Sequence, residues 1–403
     1  MALDIAKTAA QIDSMAGHLA DAKYSRTEQL DRVMAALASA DAAELAARVE
    51  ASRGRPFLCA TPEDALDARY QPTVLPPDFC VASVDGSHID VDRHLPVRCY
   101  LINIGGCVFT YGTRPGARLY SQPALYAAEE DIFLNAPSPT SNDSVAVQGA
   151  VLGMLRAVKE VEGLAEAAES ADPALPLLAL LDGSLVMWGL AGRGYPPFLR
   201  EKLLGEGLLP ALDALQAQAM HRTLVLAAYV SLPQTTEVVN TLRLALCQQR
   251  EDICQQSCTS FRSAYNPCDS ANGLLDRHIF QELLAPGERS GIYRSNSSIT
   301  RDYYGPHQVC FYYLHTGSEI GRVEVPLWVA QDENSLALSH TLVMDQVRRG
   351  MGYPAAIAEA HEQAVVTGQD RETFRMMVDA TLERRHLPVY TSEKNRSKAT
   401  RWL

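Results

Sequence analysis

Two short apolar runs in this chain end in the same tripeptide. Val81-Ala82-Ser83-Val84 leads into Asp85-Gly86-Ser87, and Leu177-Leu178-Ala179-Leu180-Leu181 leads into Asp182-Gly183-Ser184. An apolar run of this length, without polar alternation, suits a strand covered on both faces, and such strands belong to sheets flanked by helices. Glycine directly after each acid can take backbone angles that other residues avoid. The chain is therefore expected to turn there and leave the carboxylate at a crevice. One Asp-Gly is an ordinary turn signal. Two in matched context would bring two acids to one sheet edge, where a metal ion can be held.

The order of the other elements narrows the fold. Residues 1 to 52 read as helix: Ser25-Arg26-Thr27-Glu28 is a capping box, and Leu30, Val33, Met34 and Leu37 follow at helical spacing, with Leu45 and Val49 beyond. This predicts an N-terminal helical arm over 1–75, whose apolar stripe packs on its own domain or on a partner. From Pro76 the pattern predicts three antiparallel strands, at 79–85, 97–104 and 107–112, the last two joined at the turn signal Gly105-Gly106. A polar loop with Arg114 and Arg118, a helix over 142–170, the strand ending at Asp182, a helix over 197–219 and a strand from Thr223 to Val230 complete the series. The order β-β-β-α-β-α-β predicts an α/β fold with a ribonuclease H-like mixed sheet.

Residues 232–305 read as an irregular, cysteine-containing insertion in a domain spanning 76–403. Additional C-terminal elements follow. A hairpin of Val309 to Leu314 and Ile320 to Ala330 turns at Thr316-Gly317-Ser318, and helices after Asp332 break at Gly350 to Pro354 and near Gly368.

Nine cysteines without a secretion signal read as thiols or metal ligands. Cys59, Cys80, Cys99, Cys107 and Cys310 are scattered as small apolar residues would be. Cys247, Cys254, Cys258 and Cys268 fall in one polar stretch, and four thiolates suffice for a Zn²⁺ ion or an iron-sulfur cluster. No apolar run reaches the roughly 18 residues of a membrane span, so the expected location is cytoplasmic, with no membrane partner. A net charge of -12 argues against coating nucleic acid by charge alone, though not against a cationic groove. Arg384, Arg385, Lys394, Arg396, Lys398 and Arg401 gather near the C-terminus, as a solvated tail or a phosphate contact.

In the predicted fold Asp85 and Asp182 sit on neighbouring strands, and a third acid should come from the first long helix. Glu160, Glu162 and Glu166 are the candidates; Glu160 lies four residues after Arg156, which also fits an i,i+4 ion pair. Convergent carboxylates suit hard divalent cations, and two such ions ~3.5–4 Å apart can serve both oxygens of a phosphodiester displacement. Ser87 and Ser184 are outside any nucleophile elbow and are expected to bond local backbone.

Both Asp-Gly-Ser motifs resemble the paired motifs of the NurA nuclease family. Arg322-Val323-Glu324-Val325-Pro326-Leu327-Trp328-Val329-Ala330, Gly352-Tyr353-Pro354, Ala360-His361-Glu362 and Asp370-Arg371 are similar to that family's closing signature in order and spacing. The resemblance implies Asp85, Glu160 and Asp182 as metal ligands, with Glu162 as the alternative third acid. It also implies active-site roles for Tyr353 and for His361, the latter as a further metal or phosphate ligand or a proton carrier. If the helix continues through Pro354, Tyr353 and His361 share one of its faces. Arg322 and Glu324 fit a structural ion pair.

The resemblance further implies a Mn²⁺-dependent DNA nuclease, with Mg²⁺ as the alternative ion. Such a nuclease is a homodimer docked on a HerA-type hexameric ATPase, with 5′ to 3′ exonuclease and single-strand endonuclease activities in DNA end resection, recombination repair or phage defence. The alternative is a catalytically weak DNA-binding scaffold of the ATPase ring. A phosphotransferase on an actin-like fold would need a Gly-rich phosphate loop, which neither aspartate has nearby.

Overall fold

The run before Asp85 forms a strand that does not stop at the acid. β1 (Phe79–Ile89) continues four residues past it, so Asp85-Gly86-Ser87 lies inside the strand instead of at its end. The reason is one-sided pairing. Parallel pairing with β4 (Leu177–Asp182) ends at Val84↔Leu181, whereas antiparallel pairing with β2 (Tyr100–Tyr111) runs on to Ile89↔Leu101. Asp85 thus sits where the sheet opens on one side only.

The structure, a computed structural model, describes residues 4–52, 57–91, 97–137, 143–192, 194–247 and 267–387. The chain divides into two compact units. One comprises Thr73–Tyr229, Asp302–His307 and Val325–Leu403, and the other Met1–Pro72, Val230–Arg301 and Gln308–Glu324.

In the first unit the strand order is β5-β4-β1-β2-β3, where β3 is Gly116–Tyr126 and β5 is Leu224–Val230. β1, β4 and β5 run parallel, and β1, β2 and β3 form an antiparallel meander. Two expected features differ. Gly105-Gly106 is not a turn, because β2 is continuous through it. Those glycines answer to packing: a Cβ on Gly105 would lie 2.1 Å from the Ala364 backbone nitrogen, and one on Gly106 would meet the Tyr120 ring at 2.4 Å. The expected polar loop with Arg118 is instead β3, a mostly exposed strand.

The Leu-Leu-Ala-Leu-Leu run of β4 favours helix by intrinsic propensity. Coverage on both faces decides for strand, since Leu177 to Leu180 are fully buried. α1 (Ala150–Glu169) packs on one face of β1 and β2, and α3 (Ala355–Ala364) packs on the same strands. α1 is shorter than expected, being preceded by a short strand at Ser144–Ala146. The expected helix over 197–219 is present from Pro197 to Ala219, with π-type winding at Glu201–Leu208. α2 (Glu333–Arg349) precedes α3, and the break between them falls at 350–354 as the sequence indicates.

In the second unit, helix Ile5–Ser39 runs straight through the expected capping box at Ser25. Extending a helix is easier than starting one, and Asp4 already caps this helix by accepting from the Lys7 nitrogen at 3.1 Å. Val33 and Leu37, with Leu45 and Val49 of Ala42–Ala51, pack into a core with Val238, Phe280, Phe311 and Tyr313, so this stripe is satisfied within its own unit. The hairpin strands are Val309–His315 and Ile320–Pro326, with Leu327–Ala330 helical rather than strand. Arg322 is fully buried, 2.8 Å from both Glu237 and Glu324 and 3.6 Å over the Phe311 ring centroid. That is the structural ion pair the alternation suggested. The expected irregular insertion contains helices Glu237–Leu246 and Asp276–Leu283.

Candidate active site

Strand alternation and register place the two aspartates together. Val84 and Leu181 are register partners, so the next residues, Asp85 and Asp182, are neighbours facing the same side of the sheet. That side carries α3. His361 Nδ1 of α3 is 2.8 Å from Asp85 Oδ2, with the imidazole 61% exposed. Two residues on, Ser87 Oγ donates to the Ala364 carbonyl at the end of α3. Ser87 therefore ties strand to helix instead of bonding local backbone. Ser184 Oγ does accept locally, from the Val186 nitrogen at 3.1 Å.

Tyr353 is not on the helix with His361. Pro354 occupies the N-cap position of α3, so Tyr353 belongs to the preceding turn, in which Met351 and Gly352 have φ of 55° and 120°. The ring packs edge-on against Tyr229, at 5.8 Å between centroids, and Tyr229 is the register partner of Asp182. From there the phenol donates to Asp182 Oδ1 at 2.8 Å.

Glu160 arrives from the opposite face. It projects from α1 toward the backbone of Gly86, where a Cβ would lie 2.6 Å from Oε1. Gly86 is therefore a notch. With no side chain on the α1 face of β1, the carboxyl reaches strand level beside the two aspartates, which a side chain at 86 would prevent. Glu160 is only 15% exposed. Burial first, then the negative charges of Asp85 and Asp182, push its carboxyl up to about 8 against the pull of Arg156. Arg156 Nε stands 3.0 Å from Oε1, yet neither atom gains an aligned hydrogen bond. Glu162 instead pairs with Lys159 at 2.7 Å. The Asp182 carboxyl is also raised, by desolvation first and by Asp85, while the Tyr353 hydroxyl opposes the shift.

Residues 80–366 match the NurA domain. The chain belongs to the NurA family. A search of curated proteins returned no match. NurA domains are nuclease domains that act on DNA, depend on metal ions and associate with HerA, so a nuclease role and a HerA partnership follow for this chain. The matched span contains Asp85, Glu160, Asp182, Tyr353 and His361.

The donor set fits a hard cation in charge and atom type. Burial first, then the charges of Asp85 and Asp182, raise the affinity of the Glu160 carboxyl for a positive charge, and the Arg156 guanidinium 3.0 Å from its Oε1 is not aligned as a hydrogen bond. Among the described residues no group of three or more His, Cys, Asp or Glu is placed so that it could hold a metal ion. Mg²⁺-type sites do not require one, because such ions keep several waters and take one or two carboxylates together with substrate phosphates.

Of the expected cysteine cluster, Cys247 is a buried thiol. Cys254, Cys258 and the Cys268 side chain lie outside the described residues, as do Lys394, Arg396, Lys398 and Arg401. The five scattered cysteines are buried thiols outside any disulfide. Among the described residues no helix is long and apolar enough to cross a membrane.

The sequence reading missed the Gly86 notch and the Tyr229 support behind Tyr353. The first had a signal: glycine inside a strand marks a close approach as often as a turn.

Proposed function

We propose that this NurA-family chain is a divalent-metal-dependent DNA nuclease with a ribonuclease H-like core, in which Asp85, Glu160 and Asp182 hold the metal. The observation that carries the reading is the approach of Glu160 through the Gly86 notch to two register-neighbouring aspartates, with its proton affinity raised by burial first and by their charge second. A bound Mn²⁺ or Mg²⁺ would supply an activated water and offset the charge that builds on the phosphate.

The chain's own residues do the rest. Tyr353 holds Asp182 in one orientation by donating to Oδ1. Asp85 fixes the His361 ring through Nδ1, which leaves Nε2 on the exposed side to accept a proton from the attacking water or give one to the leaving oxygen. Arg156 lowers the cost of an ionised Glu160 in the notch.

Homodimerisation, Mn²⁺ preference, 5′ to 3′ exonuclease and single-strand endonuclease activities, and a place in end resection, recombination repair or phage defence extend the same reading. Asp85→Ala and Asp182→Ala should each remove Mn²⁺-dependent cleavage of labelled DNA while circular dichroism stays unchanged. Cleavage that persists in both variants sinks the site assignment.

A second reading is favoured by the separate partner each acid has, Tyr353 on Asp182, His361 on Asp85 and Arg156 on Glu160: a DNA-binding scaffold for the ATPase ring. It predicts ring binding without metal-dependent cleavage in the wild-type protein.

A further inference from the structure

Immediately after Asp182 the chain builds a rigid turn that presents an aromatic ring to solvent. Ser184 Oγ accepts from the Trp188 indole nitrogen at 3.1 Å as well as from the Val186 nitrogen. The hydroxyl of Tyr304 accepts from the Met187 nitrogen and donates to the Leu185 carbonyl, both at 3.0 Å, and Tyr304 is itself fully buried. Gly189 closes against α1, since a Cβ there would lie 2.5 Å from Met154 Sδ. The turn from Ser184 to Gly189 is thus pinned, yet Trp188 is left 43% exposed. Beside Tyr304, Tyr303 is 46% exposed and carries Arg200, whose guanidinium lies 4.7 Å from its ring centroid and donates to its hydroxyl at 2.8 Å.

Single exposed apolar residues are common and mean little. This one differs in being immobilised by the segment that carries Asp182. Ser184 is two residues from Asp182, at most ~7 Å between Cα atoms, so the indole stands within about one or two nucleotides of the carboxylates. Stacking does not depend on net charge, which matters in a chain of net charge -12, where phosphate attraction is weak.

We propose that Trp188 is a stacking platform for unpaired nucleobases of the strand that enters the carboxylate site. The platform rests on the nuclease reading for its ligand and deepens it by naming the side chain on which unpaired bases of that strand stack. Every base has a π face, so the platform orders a strand without reading its sequence.

The test measures binding of labelled oligothymidylate to the full chain by fluorescence polarisation, in chelator so that nothing is cut. Trp188→Ala should weaken binding by about 5- to 100-fold, and Trp188→Phe should keep most of the affinity. An abasic strand of equal length should bind the wild-type protein weakly and be insensitive to both substitutions. Oligothymidylate should quench tryptophan emission in the wild-type protein; Trp188→Phe should lose the quench while still binding, which separates Trp188 from Trp328 and Trp402.

Equal affinity and equal quench in the wild-type and Trp188→Phe proteins, with no loss in Trp188→Ala, overturn the platform. So does an abasic strand that responds to Trp188→Ala as strongly as oligothymidylate. Cleavage is measured separately in Mn²⁺. Binding that depends on Trp188 without any cleavage sinks the catalytic reading alone, and cleavage with binding indifferent to Trp188 sinks the platform alone. A wild-type chain that neither binds nor cuts single strands sinks both.

Discussion

Glu160→Gln isolates the charge held in the Gly86 notch. The wild-type carboxyl is pushed up to about 8 in the folded protein, against an ordinary value of 4.5. Because the folded value is raised, the contribution of this group to stability is complete below 4.5 and is lost as pH climbs through about 8. By linkage the loss is roughly 3 kcal/mol at pH 7 and approaches 4–5 kcal/mol above pH 8, as upper values.

Glutamine keeps the shape and cannot ionise. In metal-free protein the variant should therefore gain stability relative to wild type, by about 1 kcal/mol at pH 5 rising to about 4 kcal/mol at pH 8. Urea unfolding across a pH series, in chelator, reads this directly. Adding Mn²⁺ at pH 8 should reverse the order, since a cation offsets the three carboxylates only where all three ionise. Parallel pH profiles for the two proteins, with and without Mn²⁺, would refute the claim that burial and the charges of Asp85 and Asp182 hold the Glu160 carboxyl up.

Gly86→Ala places a Cβ 2.6 Å from Glu160 Oε1, the movable end of a side chain. It should cost only about 1–3 kcal/mol of stability but ~100-fold or more in cleavage rate, compared by urea unfolding and a labelled-DNA assay. Gly105→Ala meets backbone instead, 2.1 Å from the Ala364 nitrogen, so its melting temperature should fall further than that of Gly86→Ala in thermal unfolding. Arg322→Ala leaves Glu237 and Glu324 buried without their cation and should destabilise by about 3–5 kcal/mol in urea, with no change in folded-state metal dependence.

The strands bearing the two acids, the parallel relation of β1 and β4, and the helix breaks around 350–354 were legible from apolar runs and from Gly and Pro placement. The second and third meander strands were misread because Gly105-Gly106 looks like a hairpin signal. Turn propensity is local, whereas the crowding of Gly105 against Ala364 joins residues far apart in sequence. β3 was missed for a related reason: an exposed strand has no apolar face to alternate against. Tyr353 and His361 were expected to share a helix. They occupy a turn and a helix instead, and each still reaches an aspartate.

By itself the sequence determined that two carboxylates would end up on adjacent strands, because apolar runs and side-chain alternation follow from the chain's own period. It also restricted the third acid to a few glutamates on one helix. Only the tertiary structure shows which of them reaches the strands. Glu160 and Glu162 are two residues apart on α1, so they point in different directions, and the sequence does not say which direction faces the sheet. Missing one Cβ at Gly86, β1 lets Glu160 approach from the face opposite the aspartates, while Glu162 pairs with Lys159.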